Sequence, residues 1–132
     1  MDIADRVELH ELAGRYGDAI DDRNWEGLGR IFTDDATFDL TGLGGPKLVG
    51  LAEIRRFMDE DATHPQTHLM TNIYVDDLPD GVKMSFRIVA REKGGVFWTG
   101  SYRDDVVKTP AGWRVKDRVF ELRRRPVGGA LN

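Results

Sequence analysis

The segment THPQTHLMTNIYVD, residues 63 to 76, combines a histidine with the alternation of a β-strand. One register holds ordinary packing residues, namely Leu69, Thr71, Ile73 and Val75. The other register is polar or soft and consists of His68, Met70, Asn72 and Tyr74. An imidazole exchanges protons near neutral pH, so His68 is a candidate general base if its register faces a pocket. If that register faces water, His68 is only a solvated residue at a strand end.

Asp21 occupies an unfavourable position for a carboxylate. It lies in the last turn of a helix predicted over residues 2–22, where the helix dipole disfavours an anion, and Asp18 and Asp22 add repulsion. A histidine packed against Asp21 would relieve this repulsion, and the carboxylate would fix which ring nitrogen carries the proton. The alternative interpretation is that Asp21 and Asp22 end the helix as turn formers.

The composition restricts the function classes. A chain of 132 residues with 40% hydrophobic content predicts one domain over residues 1–132. The net charge of -4 predicts no nucleic-acid or membrane partner, although a basic cluster occupies residues 123–125. The sequence has no cysteine, no signal-peptide pattern and no apolar run of about 20 residues, so we expect a cytoplasmic protein.

The elements that position these side chains begin with three predicted helices. Asp2 is the predicted N-cap of the first, whose apolar face holds Leu9, Leu12, Tyr16 and Ile20. A second, shorter helix is predicted from Asn24 through Phe32, and a third over residues 50–61. The glycine-rich segment 41–46 between them is predicted to be a loop, since it lacks the lysine and hydroxyl spacing of a phosphate-binding loop.

Strands dominate the rest of the chain. A short strand is predicted at 36–40, and four long strands at 67–77, 82–92, 96–108 and 113–124. Turn residues separate the long strands, as successive antiparallel hairpins require. The pattern predicts an α+β fold with three N-terminal helices on one face of a bent, mostly antiparallel sheet.

Three segments carry a resemblance to a known family: RYGDAIDDRNWEGLGRIFTDDATFDL, HLMTN and YRDDVVKTPAGWRVKDRVFELRR. They resemble the SnoaL-like branch of the NTF2-like superfamily. The resemblance implies a cone, in which a strongly curved sheet wraps around helices and encloses a deep, mostly apolar pocket. The superfamily includes dehydratases, a dehydrochlorinase, isomerases, polyketide cyclases and non-catalytic binding domains, so the fold alone names no reaction.

The resemblance also implies catalytic residues. In the dehydratases and the dehydrochlorinase, an aspartate at the end of the first helix pairs with a histidine at the start of the strand after the third helix. Those positions fall on Asp21 and His68. Tyr16 matches a dehydratase tyrosine that donates a hydrogen bond to the substrate oxygen. The dehydrochlorinase has lysine at this position. The alternative role of Tyr16 is packing in the apolar core. Leu40 stands where ketosteroid isomerase has its catalytic aspartate, which excludes that route unless Asp39 substitutes from the opposite face of the strand.

Strand alternation extends the predicted pocket along the sheet. If His68 faces the cone, the predicted substrate-binding residues are Asn72, Met70, Tyr74, Met84, Phe86, Trp98 and Tyr102. This lining suits a small hydrophobic, cyclic molecule. Arg118, Arg123 and Arg124 could bind a carboxylate or contact a partner subunit, but they are interpreted as a solvated basic edge. The polar alternation on both faces of the last strands predicts a homodimer or homotrimer formed through the sheet.

Proton transfer is the chemistry that the residue types leave open. The three histidines lack metal-ligand spacing, cysteine is absent, and no GxSxG motif occurs, so we expect neither a metal nor a cofactor. The predicted function is a cofactor-independent, dehydratase-like lyase, in which His68 held by Asp21 removes a proton and Tyr16 assists the departing oxygen. A polyketide cyclase or isomerase using the same dyad, and a non-catalytic small-molecule binding domain, are the alternatives.

Overall fold

The first helix forms where the sequence predicts it. In the computed structural model, which describes residues 1–124, helix α1 spans Ile3–Asp21. Asp2 caps it, because its Oδ1 accepts a hydrogen bond from the Asp5 amide at 2.8 Å. The predicted apolar face is buried, and its members are Leu9, Leu12, Tyr16 and Ile20.

The second predicted helix is not an α-helix. Residues Glu26–Arg30 form one short 3₁₀ helix. Gly27 and Gly29 lower the α-helix propensity of this segment, and the Asn24 side chain accepts a hydrogen bond from the Gly27 amide at 3.1 Å. Within residues 1–124 there are therefore two α-helices and not three: α1, and α2 at Leu51–Arg56, which continues into a π-helical turn at Phe57–Asp61.

The strands form one sheet in the order β2-β1-β6-β5-β4-β3. Their bounds are β1 Phe32–Asp39, β2 Lys47–Val49, β3 Thr67–Leu78, β4 Gly81–Arg91, β5 Phe97–Thr109 and β6 Gly112–Arg124. Strands β3 to β6 pair antiparallel as predicted, whereas β1 pairs parallel with β6. A second 3₁₀ turn at Thr41–Leu43 and strand β2 occupy the segment after β1, where the sequence predicts a loop over 41–46 and no strand.

Strand β3 reverses its alternation at a β-bulge between Thr71 and Tyr74. Asn72 within the bulge has a φ of 53°, in the left-handed region that asparagine tolerates better than most residues. After the bulge Val75 is buried, while Tyr74 is 54% exposed. The prediction that Asn72 and Tyr74 share a face with His68 is therefore wrong.

Asp5 fastens the start of α1 to the hairpin of β5 and β6. Its Oδ1 accepts hydrogen bonds from Lys108 Nζ at 2.7 Å and from Trp113 Nε1 at 2.8 Å. These hydrogen bonds lower the pKa of Asp5 from 3.8 to about 2. The ionised form of Asp5 is therefore the form that the folded state favours.

Replacing Asp5 with asparagine is expected to change how stability depends on pH. The folded-state pKa is depressed, so ionised Asp5 stabilises the fold above the unfolded-state pKa of 3.8, and this stabilisation is lost as the pH falls toward about 2. The urea midpoint of the wild type should therefore approach that of Asp5→Asn as the pH falls through this window. Asp76→Asn, at an exposed position of β3, serves as the control. A gap between wild type and Asp5→Asn that stays constant across the window contradicts this account.

The outer face of the sheet carries exposed apolar side chains, among them Leu69, Phe97 and Val119. This face is the one through which the sequence predicts a homodimer or homotrimer, and that assembly stays a prediction. Arg125 of the basic cluster lies outside the described residues. None of the helices described within residues 1–124 has both the length and the apolar character needed to cross a bilayer.

Candidate functional site

Asp21 and His68 meet where the end of α1 crosses the start of β3. The Asp21 Oδ1 atom lies 2.5 Å from His68 Nδ1. The other carboxylate oxygen, Oδ2, accepts hydrogen bonds from the His68 amide at 2.9 Å and from Thr67 Oγ1 at 3.1 Å. The two side chains are 17% and 6% exposed respectively. The contact that the sequence suggested between the two side chains is present.

The donors around Asp21 compensate for its position at the helix end. A carboxylate in the last turn of α1 faces the negative end of the helix dipole. Three donors from the start of β3, the ring N–H and amide of His68 and the hydroxyl of Thr67, point at its two oxygens. Because an ionised carboxylate only accepts, Nδ1 of His68 carries a hydrogen, and Nε2 holds the lone pair of the neutral ring.

His68 lies on the wall of a cavity of about 550 Å³. An apolar wall comes from α1, β1, the 3₁₀ turn at Thr41–Leu43, the π-helical turn, β5, β6 and the segments between them: Ile20, Phe38, Leu40, Leu43, Phe57, Met58, Ala62, Pro65, Trp98 and Phe120. Polar groups come from Tyr16, Tyr102, His64, His68, Thr63, Asp61 and Glu92. A cavity of this size and composition can enclose a small cyclic molecule.

Tyr16 and Tyr102 form a buried pair of phenols on the cavity wall. Their hydroxyl oxygens lie 3.5 Å apart, and their rings meet edge to face with centroids 5.5 Å apart. Burial raises the pKa of Tyr16, with the positive charge of Arg118 acting in the opposite direction. Burial also raises the pKa of Tyr102 well above its ordinary value. Both phenols are therefore protonated at neutral pH, and one of the pair can donate to a ligand while the other donates within the pair.

Arg118 lies beneath the phenols, fully buried, and the interpretation of it as a solvated edge is wrong. It donates from Nε to Asp104 Oδ1 at 2.8 Å and from Nη2 to Asp104 Oδ2 at 2.7 Å. Its guanidinium carbon is 4.2 Å from the centroid of the Tyr16 ring and 4.4 Å from that of Tyr102. Burial acts to lower the pKa of Arg118, but the carboxylate of Asp104 raises it overall. A fixed positive charge therefore lies behind the phenols.

The sequence did contain a signal for this ion pair. Asp104 falls in the same register of β5 as Trp98 and Tyr102, which were predicted to face the cavity. Arg118 falls in the same register of β6 as the buried Phe120. Opposite charges on the inward registers of two adjacent strands indicate a buried pair, and Asp104 and Arg118 are direct partners across β5 and β6.

The predicted substrate-binding residues are only partly brought together. Trp98 and Tyr102 line the cavity. Met84 and Phe86 are fully buried in the core behind it, where Phe86 packs on Tyr102 with ring centroids 5.2 Å apart. Met70 faces inward but packs against Gly17 of α1 and does not reach the cavity. The bulge turns Asn72 and Tyr74 to the outer face, so they do not line it either.

A group of cavity residues outside the regular strands and α-helices was not predicted from the sequence. His64 and Asp61 belong to the π-helical turn and the segment that follows it, and Glu92 follows β4. Glu92 accepts a hydrogen bond from Trp98 Nε1 at 2.7 Å. Only His64 lies in a segment for which the sequence predicts no period. Glu92 ends the strand predicted over 82–92 and shares the register of Met84 and Phe86, so alternation could have indicated that it faces the cavity. Within residues 1–124, no group of three histidine, aspartate or glutamate side chains is placed to hold a metal ion.

The family model of the SnoaL-like domain matches residues 1–119. The chain belongs to the SnoaL-like domain family. This confirms the resemblance drawn from the sequence. The SnoaL-like chain is 33% identical, over 133 residues, to an uncharacterized protein of Mycobacterium tuberculosis strain H37Rv; the match covers 89% of this chain and 85% of that protein.

Solved structures share the fold of this SnoaL-like domain. A candidate aromatic ring hydroxylase from Novosphingobium aromaticivorans superposes with a TM-score of 0.78 at 27% identity, covering 95% of this chain and 93% of its own. A hexachlorocyclohexane dehydrochlorinase from Novosphingobium barchaimii gives a TM-score of 0.80 at 15% identity, covering 97% and 93%. The second likeness concerns the fold alone.

Proposed function

We propose that this SnoaL-like domain is a cofactor-independent lyase of the dehydratase type, acting on a small, hydrophobic, cyclic molecule. One observation carries the proposal: the Asp21–His68 contact of 2.5 Å stands on the wall of an apolar cavity that also holds two phenols. A base and a hydrogen-bond donor that face one mostly apolar cavity are the parts that proton abstraction next to a carbonyl requires.

His68 is the base in this scheme. Its Nε2 takes the proton from a carbon adjacent to the carbonyl group of the ligand, and the ring becomes an imidazolium. The carboxylate of Asp21 stabilises that charge and holds the ring orientation while the proton is transferred. Because the imidazole is nearly buried, little water competes for the lone pair of Nε2.

The phenols stabilise the ligand oxygen on which negative charge develops. As the C–H bond breaks, a hydroxyl of the Tyr16–Tyr102 pair donates a hydrogen bond to that oxygen, and the buried Arg118 stabilises the developing charge through the phenols. In a dehydration, the C–H electron pair forms the carbon–carbon double bond and the C–O bond breaks. The departing hydroxide takes the phenol proton to leave as water, and the proton on His68 restores the phenol.

The test begins with wild-type protein and 2-tetralone, a cyclic ketone with acidic C–H bonds, in D₂O. NMR should show exchange of the protons next to the carbonyl well above the rate in buffer containing an equal concentration of serum albumin. Cyclic β-hydroxyketones should in turn yield the conjugated enone, measured by ultraviolet absorbance. Exchange without enone formation would indicate an isomerase or cyclase. Binding of 2-tetralone with neither exchange nor enone would contradict the catalytic proposal and leave a binding domain.

A further inference from the structure

His64 is a second histidine on the cavity wall, and the proposed proton transfer does not use it. It lies between the π-helical turn and β3. Its Nε2 is 2.7 Å from the carbonyl oxygen of Met58, a residue of that turn. The ring also packs on Trp25, with centroids 5.4 Å apart and planes inclined by 34°. These contacts fix both the position and the orientation of the imidazole.

The contact with Met58 determines which nitrogen of His64 carries the hydrogen. A carbonyl oxygen only accepts, so Nε2 donates and Nδ1 holds the lone pair of the neutral ring. Burial lowers the pKa of His64, against the opposing effect of the Met58 carbonyl, so the ring is neutral at pH 7. Within residues 1–124, Nδ1 has no hydrogen-bond donor of its own. His64, which lines the cavity, therefore carries one ring acceptor that no described donor occupies.

The polar groups of the cavity are distributed by type. The phenols of Tyr16 and Tyr102 are donors at its buried end, where each side chain is at most 4% exposed. His64 is half-buried, and the acidic side chains of Asp61 and Glu92 lie with it among the more exposed lining residues. Among the described lining residues there is no lysine or arginine. The outer part of the cavity is therefore rich in acceptors and suits a ligand group that donates.

We propose that His64 is a specificity-determining residue of this cavity, whose Nδ1 accepts a hydrogen bond from a hydroxyl at the ligand end remote from the Tyr16–Tyr102 pair. The inference rests on the proposed function in one respect, namely that the same cavity holds the substrate. It adds the selection of substrates that carry a second hydroxyl. His64 is not the base and takes no part in moving the proton.

The test compares two rigid probes by isothermal titration calorimetry. Naphthalene-2,6-diol has a hydroxyl at each end, and 2-naphthol lacks the second one. One hydrogen bond to a neutral acceptor should make the diol bind the wild type about 3- to 10-fold more tightly. In His64→Gln the amide nitrogen occupies the place of Nε2 and keeps the bond to Met58, but the acceptor at Nδ1 is lost. The preference should fall to about 1-fold.

Two further variants separate recognition from structural support. In His64→Asn the side-chain oxygen occupies the place of Nδ1, so the preference for the diol should persist although the bond to Met58 is lost. His10→Gln, at an exposed position of α1, should leave the preference unchanged. If His64→Gln does not fold, the retained preference of His64→Asn supports the proposal and its loss overturns it.

The outcomes distinguish this inference from the catalytic proposal. Equal binding of the two probes to the wild type, or an unchanged preference in His64→Gln, overturns the role of His64 and leaves proton exchange on 2-tetralone untouched. A lost preference in His64→Gln together with no exchange by the wild type supports the role of His64 and contradicts the lyase. If neither probe binds the wild type, the cavity is not the ligand site and the inference is overturned.

Discussion

Replacing His68 with alanine is expected to slow the exchange of 2-tetralone protons by about 10²- to 10⁴-fold, the usual contribution of a positioned general base. The physical reason lies in the partners of the two described histidines that line the cavity. His68 donates one ring N–H to a carboxylate, which stabilises the imidazolium, whereas His64 donates to a backbone carbonyl. NMR in D₂O measures the rate directly. His10→Ala is the matched control, because His10 is exposed on α1 and its loss removes a histidine without touching the cavity.

Asp21, the hydrogen-bond partner of His68, is tested in the same experiment. Asp21→Asn keeps the shape of the side chain but removes the charge that stabilises the imidazolium, so the rate should fall while the thermal unfolding temperature shows that the domain still folds. The Asp21→Asn/His68→Ala double variant should be no slower than His68→Ala, since the carboxylate acts through the ring. An unchanged rate in His68→Ala removes the histidine from the mechanism, whatever the effect of Asp21→Asn.

Much of this site could be predicted from sequence because it depends on periodic elements. The first helix carries Tyr16 on its apolar face and Asp21 in its last turn, and both follow from a 3.6-residue period and one N-cap. The start of β3 places His68 inward, by simple alternation. The hairpins of β3 to β6 were predicted to within a residue or two, because glycine marks each turn and proline precedes it in two of the three.

The predictions from sequence are wrong where one or two residues interrupt the period of a helix or strand. Alternation along β3 holds from His68 to Met70 and reverses at Asn72, because a single left-handed residue adds an unpaired position to the strand. Asparagine at that position was a weak signal for the bulge. Two glycines converted a predicted second helix into a 3₁₀ turn at Glu26–Arg30. The spacing of apolar residues indicates neither the bulge nor the 3₁₀ turn.

The largest omission was the ion pair under the phenols. An arginine in a polar terminal strand is usually solvated, so Arg118 was assigned to the surface. The structure instead surrounds its guanidinium with the rings of Tyr16, Phe32, Phe38, Phe86 and Tyr102. One of its nitrogens, Nη1, is buried without a hydrogen-bond partner. Such a charge is tolerable only because the two oxygens of Asp104 oppose it in bidentate geometry and the aromatic faces add cation–π attraction.

Replacing Asp104 with asparagine is therefore expected to destabilise the protein by about 3–5 kcal/mol, because it leaves a buried guanidinium without a counter-charge. Urea unfolding measures the change. The matched control is the neighbouring Asp105, which pairs with Lys83 at 2.6 Å but is half-exposed, as is its partner. Solvent screens such a pair, so Asp105→Asn should cost about 0–1 kcal/mol.

A double variant decides whether the penalty comes from the unpaired charge or from lost packing. Asp104→Leu combined with Arg118→Met replaces the ion pair with apolar side chains, so no charge is left buried, and most of the stability lost in Asp104→Asn should return. Proton exchange on 2-tetralone should nevertheless remain slow in the double variant, because the positive charge behind Tyr16 and Tyr102 is gone. Equal costs for Asp104→Asn and Asp105→Asn would show that Arg118 finds water or another partner, which would contradict the assignment of the penalty to a buried unpaired charge.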